Sequence, residues 1–433
     1  MNNPERKGGK TWRAAALALL AAACAAPAAA APPAHTPGRA RANETSAATR
    51  RAARLALAGD EALKGVEHAD PLGGSRAPNY IRLLAAHTEA APQFARLTHT
   101  FLFAGALPPE TKMAMGHRIA RALGSPYALA HAERWLRASE RGREVLARLR
   151  ANQEGRLAPA EQLALEYASK LTRDVNGVTP EDFARVRAHY NDSQIVELTM
   201  ATCFFNYFAR LSEALNLPVE LWAAEPASAA PAPAFLPPPA RVALISDEEI
   251  AATSAAREAA RAPQGPAAGL GLGMANSQRA MLRAPLLAQA WRAYGSAVRE
   301  RSTIGREMQL HVSFAVSTAN GCRYCTLHQV LGLRRVGVSA AKLARMRKDD
   351  SALSPRELVA VKFARLLTRD PSAVTDADFD GLRAEFGDRG ALEVVLQTCA
   401  FSFMNRFTDS LGLPSEDEAV RTYQEVYGTN WSR

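Results

Sequence analysis

The sequence predicts an all-α fold: two tandem helical domains joined by a proline/alanine-rich linker. Three observations carry this. Alanine is abundant and aromatic residues make up only 7% of the chain, a balance that favours helix over sheet. Helix start and stop signals recur along the chain, and no clear strand–turn–strand unit appears. The chain also contains itself twice, the signature of an internal repeat. "LTRDVNGVTPEDFARVRAHY" at 171 matches "LTRDPSAVTDADFDGLRAEF" at 367, and "ATCFFNYFARLSEALNLP" at 201 matches "QTCAFSFMNRFTDSLGLP" at 397, both at an offset of 196. Upstream, "GSPYALAH" at 124 lies over "GCRYCTLH" at 321, at an offset of 197.

The elements follow in chain order. Residues 1–30 read as a signal peptide, with Arg6, Lys7, Lys10 and Arg13 ahead of an alanine-rich apolar run that ends in small residues near Ala29 or Ala30. Cys24 offers a lipid-attachment position, but Ala21 stands where a leucine would be expected, so a periplasmic or secreted protein without lipid is the expectation. Domain one spans 45–222, the linker 223–246, and domain two 247–433; "AAEPASAAPAPAFLPPPARVA" gives the linker its extended, semi-rigid character. A length of 433 residues fits two or three domains. The formal charge is +10, but the basic residues are scattered and not interleaved with aromatics, so nucleic acid is not an expected partner.

Within each copy the grammar is helical. "SPRE" at 354 is a capping box with proline at the first helical position, and "APAE" at 158 is its counterpart. "TPED" at 179 and "TDAD" at 375 start the next helices. The last long helix of each copy stops at Asn216 or Gly412, residues that tolerate a left-handed C-cap, with Pro218 and Pro414 two residues on. One segment conflicts. Met308, Leu310, Val312, Phe314 and Val316 alternate like a strand, whereas Met115, Ile119 and Leu123 keep helical spacing. Copies of one unit share a fold, so both segments are read as helix.

Five cysteines are too few for a disulfide scaffold, and only Cys322 and Cys325 are close in sequence. Asn320 and Gly321 form a loop into a helix on which Cys322, Cys325 and His328 share a face. A free thiol with a pKa of about 8.5 is only about 3% thiolate at pH 7. The helix N-terminus would help Cys322 most, and a neighbouring imidazole would help Cys325. Cys325 is the preferred nucleophile, because His328 also routes its proton, and Cys322 would resolve the sulfenic acid into a disulfide. A c-type haem site wants its histidine directly after the second cysteine, and a zinc site needs further ligands; no cofactor and no metal are expected. In the first copy the same positions are Ser125, Ala128 and His131, so that copy has no dithiol. Cys203 and Cys399 read as small buried hydrophobes.

On "NGCRYCTLHQ", the apolar helix before it and "LTRD…VTDADF…FMNRFTDSLGLP" after it, the sequence resembles the AhpD-like alkylhydroperoxidase and carboxymuconolactone decarboxylase family. The resemblance covers about 300–415 and, without cysteines, about 100–218. It implies an all-helical domain that assembles into a homo-oligomer, such as a trimer of two-domain chains. It also implies Cys325 as peroxidatic cysteine, Cys322 as resolving cysteine and His328 as relay base. The family glutamate twelve residues before the first cysteine is Leu310 here, and Glu307 is the nearest acid that would replace it. The expected function is an exported thiol-dependent peroxidase or thiol–disulfide oxidoreductase, taking a small hydroperoxide as substrate and a dithiol of unknown identity as reductant. Two alternatives stay open: a non-catalytic helical binding or assembly protein, and a cysteine-independent lyase of the decarboxylase kind using His131.

Overall fold

The structure, a computed structural model, describes residues 52–224, 274–429 and 431. The expected leader with Cys24, and the linker from residue 225 on, lie outside the described residues. The first copy contributes α1 (Asn79–His87), α2 (Ala91–Phe103), α3 (Pro109–Ala122), α4 (Pro126–Arg137), α5 (Glu140–Arg150), α6 (Pro159–Arg173), α7 (Pro180–Arg187) and α8 (Asp192–Ala214). The second contributes α9 (Asn276–Met281), α10 (Pro285–Glu300), α11 (Gly305–Ala319), α12 (Arg323–Arg335), α13 (Ala340–Met346), α14 (Pro355–Arg369), α15 (Asp376–Ser410) and α16 (Asp417–Tyr427). Among the described residues there is no strand.

The capping signals form as their residues dictate. Ser354, Thr179 and Thr375 accept the backbone N–H three residues on, and Glu357, Asp182 and Asp378 reach back to the cap N–H. At 158 only half of the box exists, since alanine has no acceptor; Glu161 alone takes the Ala158 N–H, at 3.0 Å. Asn216 (φ 49°) and Gly412 (φ 58°) take the left-handed turn that ends the last long helix of each copy. The segment with strand-like alternation is helix α11. Every residue from Met308 to Ser317 is buried, so no solvent face exists to impose a helical pattern of polarity. Its buried hydroxyls are satisfied along the helix, Ser313 Oγ donating to the Gln309 carbonyl at 2.6 Å and Ser317 Oγ to that of Ser313 at 2.7 Å.

Like packs on like. α8 lies along α15, and α2 along α10, its counterpart. One hydrophobic core runs through both copies, and both belong to one compact unit. Trp291 stacks on Phe403 at 3.9 Å, and the Tyr207 and Tyr294 hydroxyls meet across the seam at 2.5 Å. Arg406, buried in the seam, donates to the carbonyls of Leu171 and Thr172 in the first copy, each at 3.2 Å. Helices thus pair with their counterparts as in a two-fold dimer, but the arginine contact is one-sided, since Arg210, the counterpart of Arg406, donates to Asn206 Oδ1 of its own helix at 2.7 Å.

The repeat also reaches further upstream than the sequence match. Asn79 and Asn276 each donate a side-chain N–H to the carbonyl of the proline ahead of the C-terminal glutamate, Pro218 at 2.9 Å and Pro414 at 3.0 Å. Because the core is shared, both copies should unfold in a single denaturant transition. Phe403→Ala, which removes a fully buried ring from the seam, should lower that transition by about 3–5 kcal/mol. Two separated transitions would show that the copies are independent.

Candidate active site

The cysteine loop is built by a sharp reversal between α11 and α12. Gly321 sits at φ 66°, a left-handed conformation that other residues adopt only with strain. The Cys322 N–H then closes on the Ser317 carbonyl at 2.9 Å. From the first copy, Asn176 Nδ2 reaches the Asn320 carbonyl at 3.4 Å, so the seam also steadies this loop. Cys322 is the N-cap of α12 rather than a residue within it, and its sulfur accepts the Cys325 N–H at 3.3 Å.

Both sulfurs meet one hydroxyl. Thr408 Oγ1, on α15, is 3.4 Å from Cys322 Sγ and 3.4 Å from Cys325 Sγ. That hydroxyl donates to its own helix, to the Met404 carbonyl at 3.0 Å, so its lone pairs face the thiols. Cys322 donates its proton to Asp409 Oδ1 at 3.2 Å. The consistent assignment is Cys322 S–H to Asp409 and Cys325 S–H to Thr408. Cys322 is 0% exposed and Cys325 3%, in a small cluster edged by Met404 and Leu413. Burial first, and then the neighbouring Cys325, raise the Cys322 pKa well above that of a free thiol. Cys322 therefore stays protonated.

His328 is placed differently from expectation. Its Nδ1–H donates to the Tyr324 carbonyl at 2.7 Å, and the ring stacks on Tyr324 with centroids 4.2 Å apart. Nε2 lies 2.5 Å from Glu416 Oε2, without hydrogen-bond alignment. The other Glu416 oxygen accepts the Tyr324 hydroxyl at 3.0 Å and the Asn276 N–H at 2.7 Å. Burial works against ionised Glu416, but the contact with His328 and the Asn276 N–H outweigh it and hold its pKa at about 2. Both ring nitrogens of His328 thus face oxygen atoms of other residues, the Tyr324 carbonyl and the Glu416 carboxylate. His328 makes no hydrogen bond to Cys325 among the described residues.

The same trio stands in the copy without thiols. His131 Nε2 is 2.9 Å from Glu220, and the Tyr127 hydroxyl donates to Glu220 at 2.7 Å. Ser125 takes over the cap from Cys322 and accepts the Ala128 N–H at 3.4 Å. A Tyr–His–Glu clasp present with or without sulfur is a fold element. It ties α1 or α9 and the C-terminal loop to the helix that carries the histidine.

Glu307 is not brought to the cysteines. It stands in the first turn of α11, twelve residues before Ala319, about 18 Å along the axis at 1.5 Å per residue. Its contact is His311, at 3.4 Å. Leu310, at the family's glutamate position, packs in a satellite cluster with Phe314, Leu327 and Leu331. Cys203 and Cys399 are fully buried in the core, and burial pushes the Cys399 pKa up to about 12.

Residues that the sequence reading missed are Thr408, Asp409, Tyr324 and Glu416. A signal existed: Tyr and Glu recur in both copies, in "GSPYALAH" and "GCRYCTLH" and in "LNLPVE" and "LGLPSE".

The site thus defines an all-α unit bearing a buried dithiol. Comparison with known proteins is consistent with that class: residues 285–366 match the carboxymuconolactone decarboxylase family, and the match lies wholly in the second copy. Among solved structures the chain is similar to the debrominase Bmp8, a cysteine-to-alanine variant in complex with 2,3,4-tribromopyrrole. Identity is 22%, over 36% of this chain and 84% of that one, with a TM-score of 0.33, too low to carry an argument. No curated protein matches.

Glu416 gives a signed pH prediction. Its pKa is depressed on folding, so its contribution is present above the unfolded value near 4.5 and is lost as pH falls toward about 2. Glu416→Gln should therefore destabilise the protein near neutral pH. The gap to wild type should shrink between about pH 4.5 and 2 in denaturant titrations.

Proposed function

We propose that the second copy is a thiol-dependent peroxidase or thiol–disulfide oxidoreductase working through Cys322 and Cys325. The observation that supports this reading is the shared Thr408 hydroxyl, which gathers both sulfurs over the first turn of one helix. Cys325 is the attacking group, since it alone keeps a trace of exposure and Cys322 is held as a thiol. Cys325 attacks the terminal oxygen of a hydroperoxide: the S–O bond forms as the O–O bond breaks, the transferred oxygen keeps its hydrogen as the sulfenic acid, and the proton released by the Cys325 thiol goes to the leaving alkoxide, which departs as an alcohol. Cys322 then attacks that sulfur, water leaves, and a disulfide forms. An external dithiol supplies two electrons and two protons to restore the pair. Thr408 can turn its hydroxyl to donate to the Cys325 sulfur.

The duplicated clasp argues against His328 as relay base, so the proposal rests on the sulfurs and their α15 partners. It extends to export, which the basic and apolar leader supports, and to a homo-oligomer. Burial of both sulfurs favours a second reading, in which the disulfide only stiffens the loop. A stiffening bond would have a potential below about −300 mV, and a cycling one would be more oxidising. Cys325→Ser should abolish hydroperoxide consumption. Cys322→Ser should stop at a sulfenic acid, seen by mass spectrometry as one added oxygen on the Cys325 peptide. Full turnover by Cys325→Ser would contradict the assignment.

A further inference from the structure

At the far end of α11 from the cysteines, Glu307, His311 and Glu357 converge, with one ligand atom from each within 4.8 Å of the others. Glu307 and His311 are four residues apart, one turn of the same helix, while Glu357 comes from the capping box of α14. His311 is wholly buried, and among the described residues neither of its ring nitrogens makes a hydrogen bond. A buried imidazole without such a bond is costly unless something else satisfies it. Its Nε2 is turned between the carboxylates, 3.4 Å from Glu307 and 3.0 Å from Glu357. A tetrahedral ion with bonds of about 2.0–2.1 Å places adjacent ligand atoms about 3.3 Å apart. Those two spacings therefore match the edges of such a site.

The first copy shows what these carboxylates do without the histidine. Ala114 stands where His311 does. Glu110 there accepts the Ser139 hydroxyl at 2.7 Å, and Glu161 is paired with Arg141 at 2.7 Å. In the second copy Glu357 keeps a cationic neighbour, Lys342 Nζ at 2.7 Å, while Glu307 meets His311 and stays half exposed. The half-exposed Glu307 gives an ion a way in.

We propose that Glu307, His311 and Glu357 bind one divalent transition-metal ion of the zinc kind, the ion displacing the Lys342 ammonium from Glu357. Three protein ligands leave a fourth position open to water. The sequence reading found no metal site because the third ligand lies 46 residues beyond His311 and only the packing of α14 on α11 brings it in.

The test is calorimetric titration of the full chain with Zn²⁺, with Co²⁺ as a spectroscopic probe. One ion should bind per chain. His311→Ala should abolish binding while keeping the helical circular dichroism, since alanine already occupies this place in the first copy. Lys342→Met should tighten binding by removing the competing cation. The Co²⁺ complex should lack thiolate-to-metal charge-transfer bands and should persist in a Cys322→Ser/Cys325→Ser background. No saturable binding, binding that survives His311→Ala, or binding lost with the cysteines would overturn the site.

Discussion

The seam between α8 and α15 is the constraint on which the rest of the structure depends. It buries Phe403, Tyr207 and Tyr294, with Trp291 stacked on Phe403, and seats Arg406 on carbonyls of the other copy. A buried guanidinium is costly unless its donors are satisfied, so those contacts fix the rotation of α15 about its axis. Thr408 follows Arg406 by two residues on that helix. Fixing one therefore aims the other, and with it Asp409, at the cysteine loop. The first copy acts as a template that holds the second copy's partner residues in place, and Asn176 adds a direct contact to the loop itself.

Duplication also separates what is structural from what is chemical. The Tyr–His–Glu clasp occurs in both copies and closes the same three segments each time. The sulfurs occur once. Ser125 preserves the cap that Cys322 provides, and Ala128 fills the place of Cys325, so the fold tolerates loss of the thiols with little local change. The pair is therefore a feature added to a frame that stands without it. The same comparison isolates His311, whose counterpart is Ala114, as a second feature confined to the thiol-bearing copy.

Much of the fold was legible because its signals are local. Capping residues at 179, 354 and 375, left-handed stops at Asn216 and Gly412, and the repeat itself all act within a few residues. Helix α11 was harder, since a helix buried on every side carries no amphipathic stripe and its alternation is an accident of packing. The cysteine pair was legible by spacing. Its partners were not, because Thr408 and Asp409 lie more than eighty residues away and are brought in by tertiary packing. His328 shows the converse case. Its spacing from Cys325 suggested a proton relay, but a ring has two nitrogens, and Tyr324 and Glu416 claim both. Glu307 is the nearest acid in sequence, yet the twelve residues of helix between it and Ala319 carry it away from the loop.

The central claim is that two buried sulfurs sharing one hydroxyl form a pair able to cycle. It is tested most directly by counting thiols in the denatured protein before and after exposure to one equivalent of hydroperoxide, and mapping those lost. The account predicts loss of two thiols, both on the peptide holding Cys322 and Cys325, with Cys203 and Cys399 intact. An unchanged count, or a loss falling on Cys203 or Cys399, would contradict it.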